Sequence, residues 1–199
     1  MTRQTTAPIE RLNLQDSYRT ARELARMVED GLMTLDAPYQ RGSVWSVNQR
    51  IALVQSWLSG TPIPSIIVND RANGRWAAAN GGRHPGQTGE PVYAVIDGKQ
   101  RIETALAWFG GRLAVPATWF PIADVNKAVV TADGLYVRYS GLSEGARRHM
   151  AIGGAMLPMA EAKVASVQEE ADIYLRVNGY GTPQQERDMA RARRLASRP

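Results

Sequence analysis

Apolar residues recur at helical spacing in several segments of the chain. Between Tyr18 and Met33 this spacing predicts an amphipathic helix that starts near Asp16 or Ser17. The same period predicts further helices: from the N-cap Ser46 to Gly60, over residues 99–109, after the cap Ser143, over residues 167–178, and from Thr182 onward. The chain therefore contains enough amphipathic helix to cover a sheet.

Short apolar runs between these helices predict the strands of that sheet. Residues 65–68 (SIIV) and 92–96 (VYAVI) are the clearest runs, and residues 113–119, 135–139 and 156–164 are further extended candidates. Residues 71–91, rich in glycine and proline, are predicted to form a mobile surface loop outside the core. Helices and strands in irregular order predict the α+β class with a small mixed sheet.

Composition narrows the function classes. A chain of 199 residues can fold as one domain without disulfides or metal. The absence of cysteine excludes a disulfide framework, a thiolate zinc site and a cysteine nucleophile, and the two histidines lie far apart. There is no signal-peptide run and no stretch of apolar residues long enough to span a membrane, so we expect a cytoplasmic protein. The net charge of +5 favours a polyanionic partner, nucleic acid or nucleotide.

The sequence IDGKQR is the strongest candidate site. A buried strand is predicted to end at Asp97, Gly98 makes a tight turn, and a helix begins with Lys99, Gln100 and Arg101 in its first turn. Helix N-termini bind anions, whereas cations there are unfavourable unless an anion pairs with them. In the structural alternative, Asp97 caps the helix and both cations are solvated. The segment is not a Walker loop, because it lacks the required glycine and hydroxyl positions.

Two other segments offer supporting groups. In YQRGSVW, Arg41 can clamp a phosphate and Trp45 can stack on a base, although a tryptophan before a helix is also typical of a core residue. The C-terminal segment is rich in arginine and is predicted to contact DNA phosphates, with a solvated helix as the alternative. Its candidate DNA-binding residues are Arg187, Arg191, Arg193 and Arg194.

Five segments in order resemble the N-terminal domain of GmrSD-type proteins, also catalogued as domain of unknown function 262. They are YQR-x-x-VW, GTPIPSIIV, VIDGKQR, YSGLS and IYLRVNGYGTPQQE, and their order and spacing match over about residues 36–187. The resemblance implies a ParB/sulfiredoxin-like fold, a small mixed sheet with surrounding helices. It also implies a role in restriction or phage defence against modified DNA, with a nucleotide-binding and hydrolysing Asp-Gly-Gln-Gln-Arg motif.

Carried over to this chain, the motif implies a set of site residues. Asp97, Gln100 and Arg101 are expected to be catalytic, with Asp97 binding Mg²⁺ or orienting water and Gln100 positioning that water. Lys99 stands where the family usually has glutamine, which adds charge for phosphate binding. The expected nucleotide- and phosphate-binding residues are Arg41, Gly98, Lys99, Arg101, Asn178 and Thr182.

The resemblance also suggests boundaries and a function. Residues 1–16 are predicted to be an extension, 17–183 the domain, and 184–199 an arginine-rich helix or tail. We expect a DNA-associated domain that binds and hydrolyses a nucleoside triphosphate, without the histidine-containing nuclease domain that many family members carry. Two alternatives stay open: a non-catalytic nucleotide- or DNA-binding module that gates a separate nuclease or partner, and a ParB-like nuclease.

Overall fold

The computed structural model describes residues 8, 11–40, 42–179 and 194. Within this part of the chain the strands are β1 (Gln15–Thr20), β2 (Met33–Thr34), β3 (Ile66–Asp70), β4 (Tyr93–Asp97), β5 (Ala114–Pro116), β6 (Ala128–Thr131), β7 (Gly134–Arg138) and β8 (Met156–Ala162). The α-helices are α1 (Ala21–Glu29), α2 (Val47–Ser59), α3 (Gly74–Ala79), α4 (Pro85–Thr88), α5 (Lys99–Phe109), α6 (Glu144–Ile152) and α7 (Val167–Asn178). The predicted α+β class is confirmed.

The described strands form two sheets. The larger is mixed and has the order β1-β8-β3-β4-β2, in which β8 runs parallel to β3 and β4 runs antiparallel to β3. The smaller is antiparallel, with the order β5-β7-β6. Because β3 and β4 lie inside the larger sheet, the end of β4 is held on a rigid framework, and the candidate site starts there.

Helices cover both faces of the larger sheet. Successive side chains of its inner strands therefore belong alternately to two apolar clusters, one on each face. In β4, Val95 belongs to one apolar cluster and Ile96 to the other, since successive side chains of a strand point to opposite faces. In β3, Val68 and Ile67 divide in the same way. The first cluster contains residues of α1, α2 and α5, and the second contains residues of α7.

Two predictions about local structure were wrong. The helix does not start near Asp16: residues 15–20 form β1, which pairs antiparallel with β8, and α1 begins after its N-cap Thr20. Residues 71–91 are not a loop outside the core either. They contain α3, whose Trp76 is buried, and the short α4. In both places long-range contacts outweighed the local pattern.

Other local signals were correct. Ser46 caps α2 in a reciprocal capping box with Gln49, and Gly60 ends that helix in the left-handed conformation. Ser143 caps α6 as predicted. None of the helices in the described part of the chain is long and apolar enough to pass through a bilayer.

Candidate functional site

The turn between β4 and α5 depends on glycine. Gly98 is the N-cap of α5 and has a φ of 104°, a conformation that glycine adopts without strain. A Cβ at this position would also lie 2.8 Å from Cγ1 of Ile66. The structural alternative for Asp97 is therefore wrong, because the cap residue is Gly98 and it has no side chain with which to cap the helix.

The acidic and basic ends of the motif contact each other. Arg101 Nη2 donates to Asp97 Oδ2 over 2.7 Å and to the Ser65 carbonyl over 3.2 Å. Asn178 Nδ2, at the end of α7, donates to the other Asp97 oxygen over 3.5 Å. The side chain of Arg101 is only 12% exposed, so it is not the solvated cation of the structural alternative.

Gln100 connects α5 to the segment before α2. Its Oε1 accepts hydrogen bonds from the backbone N–H groups of Val44 (3.2 Å) and Trp45 (3.1 Å), and its Nε2 donates to the Gly42 carbonyl over 3.4 Å. Trp45 is half-buried and packs against the first apolar cluster. Both polar atoms of Gln100 are therefore engaged in holding this segment against the motif.

Gln40 is a buried residue of the site that no sequence pattern singles out. Its Nε2 donates to the carbonyls of Val95 and Ile96, both over 2.7 Å, and its side chain is largely shielded from solvent. Its Oε1 is buried without a hydrogen-bond partner. The only available signal was its position beside Arg41 in the YQR segment.

A cavity of about 160 Å³ joins these groups. It is smaller than the roughly 300–1,000 Å³ of complete small-molecule pockets, so it is sized for one part of a ligand. Its lining consists of Gln40, Trp45, residues 97–101 and Tyr174. Two lining residues contain buried polar atoms without a partner: the acceptor Oε1 of Gln40 and the donor Nε of Arg101.

The start of α5 adds positive potential to this cavity. The helix begins without a side-chain cap, so the N–H groups of Lys99 and Gln100 are left to solvent or a ligand, whereas that of Arg101 donates to the Gly98 carbonyl over 2.9 Å. In contrast, α1, α2, α3, α6 and α7 each start with a capping side chain, from Thr20, Ser46, Asn73, Ser143 and Ser166. The side chain of Lys99 is 16% exposed. Its Nζ lies 3.7 Å from Oδ1 of Asp36, whose side chain is 96% exposed, so this ion pair is weak.

A buried polar network lies on the α7 side of the site. Glu170 is fully buried and binds Arg71 through both of its oxygens, over 2.8 and 2.9 Å. Asn69 and Tyr39 also donate to this carboxylate, over 2.8 and 3.2 Å. Burial and the neighbouring Glu170 charge both raise the pKa of Tyr39. Because Tyr39 precedes Gln40, the network holds the chain in place beside the cavity. No local sequence pattern revealed it.

Several predicted site residues lie outside the described residues. These are Arg41, Thr182, Arg187, Arg191 and Arg193. Arg194 is described and exposed. Among the others, Asp97, Gly98, Lys99, Gln100 and Arg101 line one cavity, and Asn178 contacts Asp97. Tyr139 of the YSGLS segment instead packs on Trp108 and Phe109 in the core.

The residues present provide little for a resident Mg²⁺ ion. Asp97 is the acidic residue that lines the cavity, and its Oδ2 already accepts from Arg101. Among the described residues no group of three or more histidine, cysteine, aspartate or glutamate residues could hold a metal. Asp97 Oδ1 can contact a Mg²⁺ ion that phosphate groups bring with them, as is usual for this ion.

The fold and site thus define an α+β domain with a small polar cavity at a strand–glycine–helix turn. The family model described as "GmrSD restriction endonuclease, N-terminal domain" matches residues 23–146, more than half of the chain. The chain belongs to this family, and the predicted resemblance is confirmed. No curated protein and no solved structure gives a significant match. The finer ParB/sulfiredoxin-like assignment stays a prediction.

Proposed function

We propose that this chain is the nucleotide-binding domain of a DNA restriction or phage-defence system, and that it binds the nucleotide by its terminal phosphates. Family membership supports the restriction role. One observation carries the phosphate-binding role: Arg101 lines the cavity at the uncapped start of α5, and its Nε is buried without a hydrogen-bond partner. A guanidinium and helix-terminal N–H groups are together suited to a phosphate.

The remaining charges are consistent with this proposal. Asp97 holds the guanidinium of Arg101 from one side, so that its other N–H groups are oriented before a ligand arrives. Within the described part of the chain, the ion-pair partner of Lys99 is the exposed Asp36, and a phosphate can replace this weak contact at little cost. Asn178 holds the second oxygen of Asp97. The rest of the nucleotide lies outside the small cavity, on the side of Trp45, where a base can stack.

Hydrolysis of the nucleotide is part of the proposal. Mg²⁺, when bound with the phosphates, would neutralise charge on them, and Asp97 is the residue positioned to contact it. A non-catalytic module is the second candidate. It is favoured by the hydrogen bonds of both Asp97 oxygens, of Oδ2 with Arg101 and of Oδ1 with Asn178. DNA association, a separate nuclease partner and the C-terminal arginines belong to the same proposal and rest on charge and family.

The test measures nucleotide binding and phosphate release separately. Calorimetry with each of the four nucleoside triphosphates gives Kd, and a phosphate-release assay with and without DNA gives turnover. Arg101→Ala removes a charge-assisted contact and should weaken binding about tenfold or more. Arg148→Ala is the matched control, because Arg148 is exposed on α6 and does not line the cavity. If both variants bind like the parent protein, the site assignment is wrong.

Asp97→Asn separates the two candidates. The amide preserves the volume of the side chain and removes its charge, so binding should persist while turnover is lost if the domain is a hydrolase. Binding without turnover in the parent protein, with and without DNA, supports the module instead. Absence of binding to all four nucleotides contradicts the hydrolase and the nucleotide-binding module, and leaves only a module that binds DNA.

A further inference from the structure

Two glutamines line the cavity, and their side-chain oxygens differ in whether they accept hydrogen bonds. Gln100 uses its carbonyl oxygen to hold the N–H groups of Val44 and Trp45, and its amide nitrogen faces Gly42. Gln40 has an unused carbonyl oxygen that is buried in the same part of the molecule. Of the two, Gln40 is therefore the one with an acceptor to offer to a bound group.

The side chain of Gln40 is held in one orientation. Its amide group donates both hydrogens to consecutive carbonyls of β4, those of Val95 and Ile96, each over 2.7 Å. These bonds identify Nε2 as the donor atom, and they fix the position of Oε1, which cannot rotate without breaking both. Only 7% of the residue is exposed, so bulk water does not satisfy this oxygen. The oxygen is thus a fixed acceptor that needs a donor.

The group that meets this oxygen must carry a proton. The phosphate proposed at Arg101 is ionised at neutral pH and presents acceptors only, so it satisfies the guanidinium and not Gln40. A group beside the phosphate that donates to an amide oxygen is a water molecule or a hydroxyl or N–H group of the nucleoside. Because the cavity of about 160 Å³ is sized for one part of the ligand, a water beside the phosphate is the better fit.

We propose that Gln40, rather than Gln100, orients the water that attacks the terminal phosphate; this rests on the proposed nucleotide hydrolysis. The water donates one hydrogen to Gln40 Oε1, which aims a lone pair at the phosphorus. The new bond forms from the water oxygen to the terminal phosphorus, and the bond to the bridging oxygen breaks. The nucleoside diphosphate leaves with that electron pair. The proton lost by the water goes to a phosphate oxygen, since an amide is too weak a base to take it.

The experiment compares the same substitution at three glutamines. Gln40→Met keeps the length of the side chain and removes the acceptor together with the two donor bonds to β4, so the folded variant should lower kcat by about 100-fold and leave Kd within about threefold. Gln100→Met releases the Trp45 segment and should raise Kd. Gln87→Met, on the exposed α4, is the matched control and should match the parent protein in both constants. Circular dichroism and thermal melting report whether each variant is folded.

A second measurement does not depend on the variants. In the parent protein, 2′-deoxy and 3′-deoxy nucleotides, and nucleotides whose bases lack an N–H donor, should bind with unchanged Kd if the partner of Gln40 is water. A large rise in Kd for one of these analogues overturns the water assignment and makes Gln40 a reader of the nucleoside. Normal kcat in folded Gln40→Met also overturns it. If the parent protein binds no nucleotide, the proposed function itself has failed.

Discussion

Replacing Glu170 by glutamine should destabilise the domain severely. The carboxylate is fully buried and accepts four hydrogen bonds, two of them from the guanidinium of Arg71. Glutamine keeps the volume, but in either orientation its NH2 group faces N–H donors of Arg71. The guanidinium also loses its counter-charge, and its side chain is only 16% exposed, so solvent replaces little of what is lost.

The magnitude follows from the burial of the pair. Removing one partner of a buried ion pair costs about 3–5 kcal/mol, because an uncompensated charge remains inside the protein. For a domain of this size that corresponds to a decrease in Tm of roughly 6–20 °C. The stacking of Arg71 on Trp76, 4.5 Å from the ring centroid, keeps the guanidinium in place and limits relaxation.

Denaturation in urea, followed by tryptophan fluorescence and circular dichroism, measures this loss as a shift in the midpoint. Glu169→Gln is a control in the neighbouring position: its ion pair with Arg75 is long, 3.5 Å, and exposed, so about 0–1 kcal/mol is expected. The double variant Arg71→Met, Glu170→Gln should lose less unfolding free energy than the two single variants lose together, because it leaves no unpaired charge. Equal effects of the Glu169 and Glu170 changes would refute the reasoning.

Three further predictions concern the turn, the tyrosine and the C-terminal residues. Gly98→Ala should cost about 1–2 kcal/mol of stability because of its positive φ, and should weaken nucleotide binding; a silent change contradicts the role of the turn. Tyr39 has a raised pKa, so its contribution is complete below the unfolded value of about 10 and is lost as pH rises further. In Tyr39→Phe, the free energy of unfolding should therefore fall less steeply above about pH 10 than in the parent protein. The same pH dependence in both proteins contradicts this role of Tyr39. Removal of residues 187–199 should reduce DNA affinity and should also make that affinity less dependent on salt concentration. Fluorescence anisotropy over a salt series measures both. Unchanged values exclude these arginines as the DNA contact.

Short-range signals predicted the elements that position the site. The capping box at Ser46 and the left-handed Gly60 identify both ends of α2. The apolar run before Asp97 and the glycine after it predicted β4 and the start of α5, which place the motif at the C-terminal end of an interior strand. These signals involve residues within a few positions of one another, so they can be identified without the tertiary structure.

The functional assignment within the site depended on contacts between distant residues. The motif itself indicated a site, but only the structure distinguished Gln40, with a buried free oxygen, from Gln100, whose oxygen is occupied. Each of these contacts joins residues more than fifty positions apart, as in the bonds of Gln40 to β4. No periodicity or motif encodes which partner a polar side chain finds at such a separation.

The amino-acid sequence alone determined the family, the α+β class and the strand–glycine–helix motif, because local propensities and short motifs depend on residues that are close together in the sequence. The tertiary structure decided three things. Residues 15–20 became a strand because β8 offered a pairing edge, and Trp76 became part of the interior. Glu170 acquired Arg71, Asn69 and Tyr39 as partners. In each case the free energy comes from burial and pairing between elements far apart in the chain, which no local pattern carries.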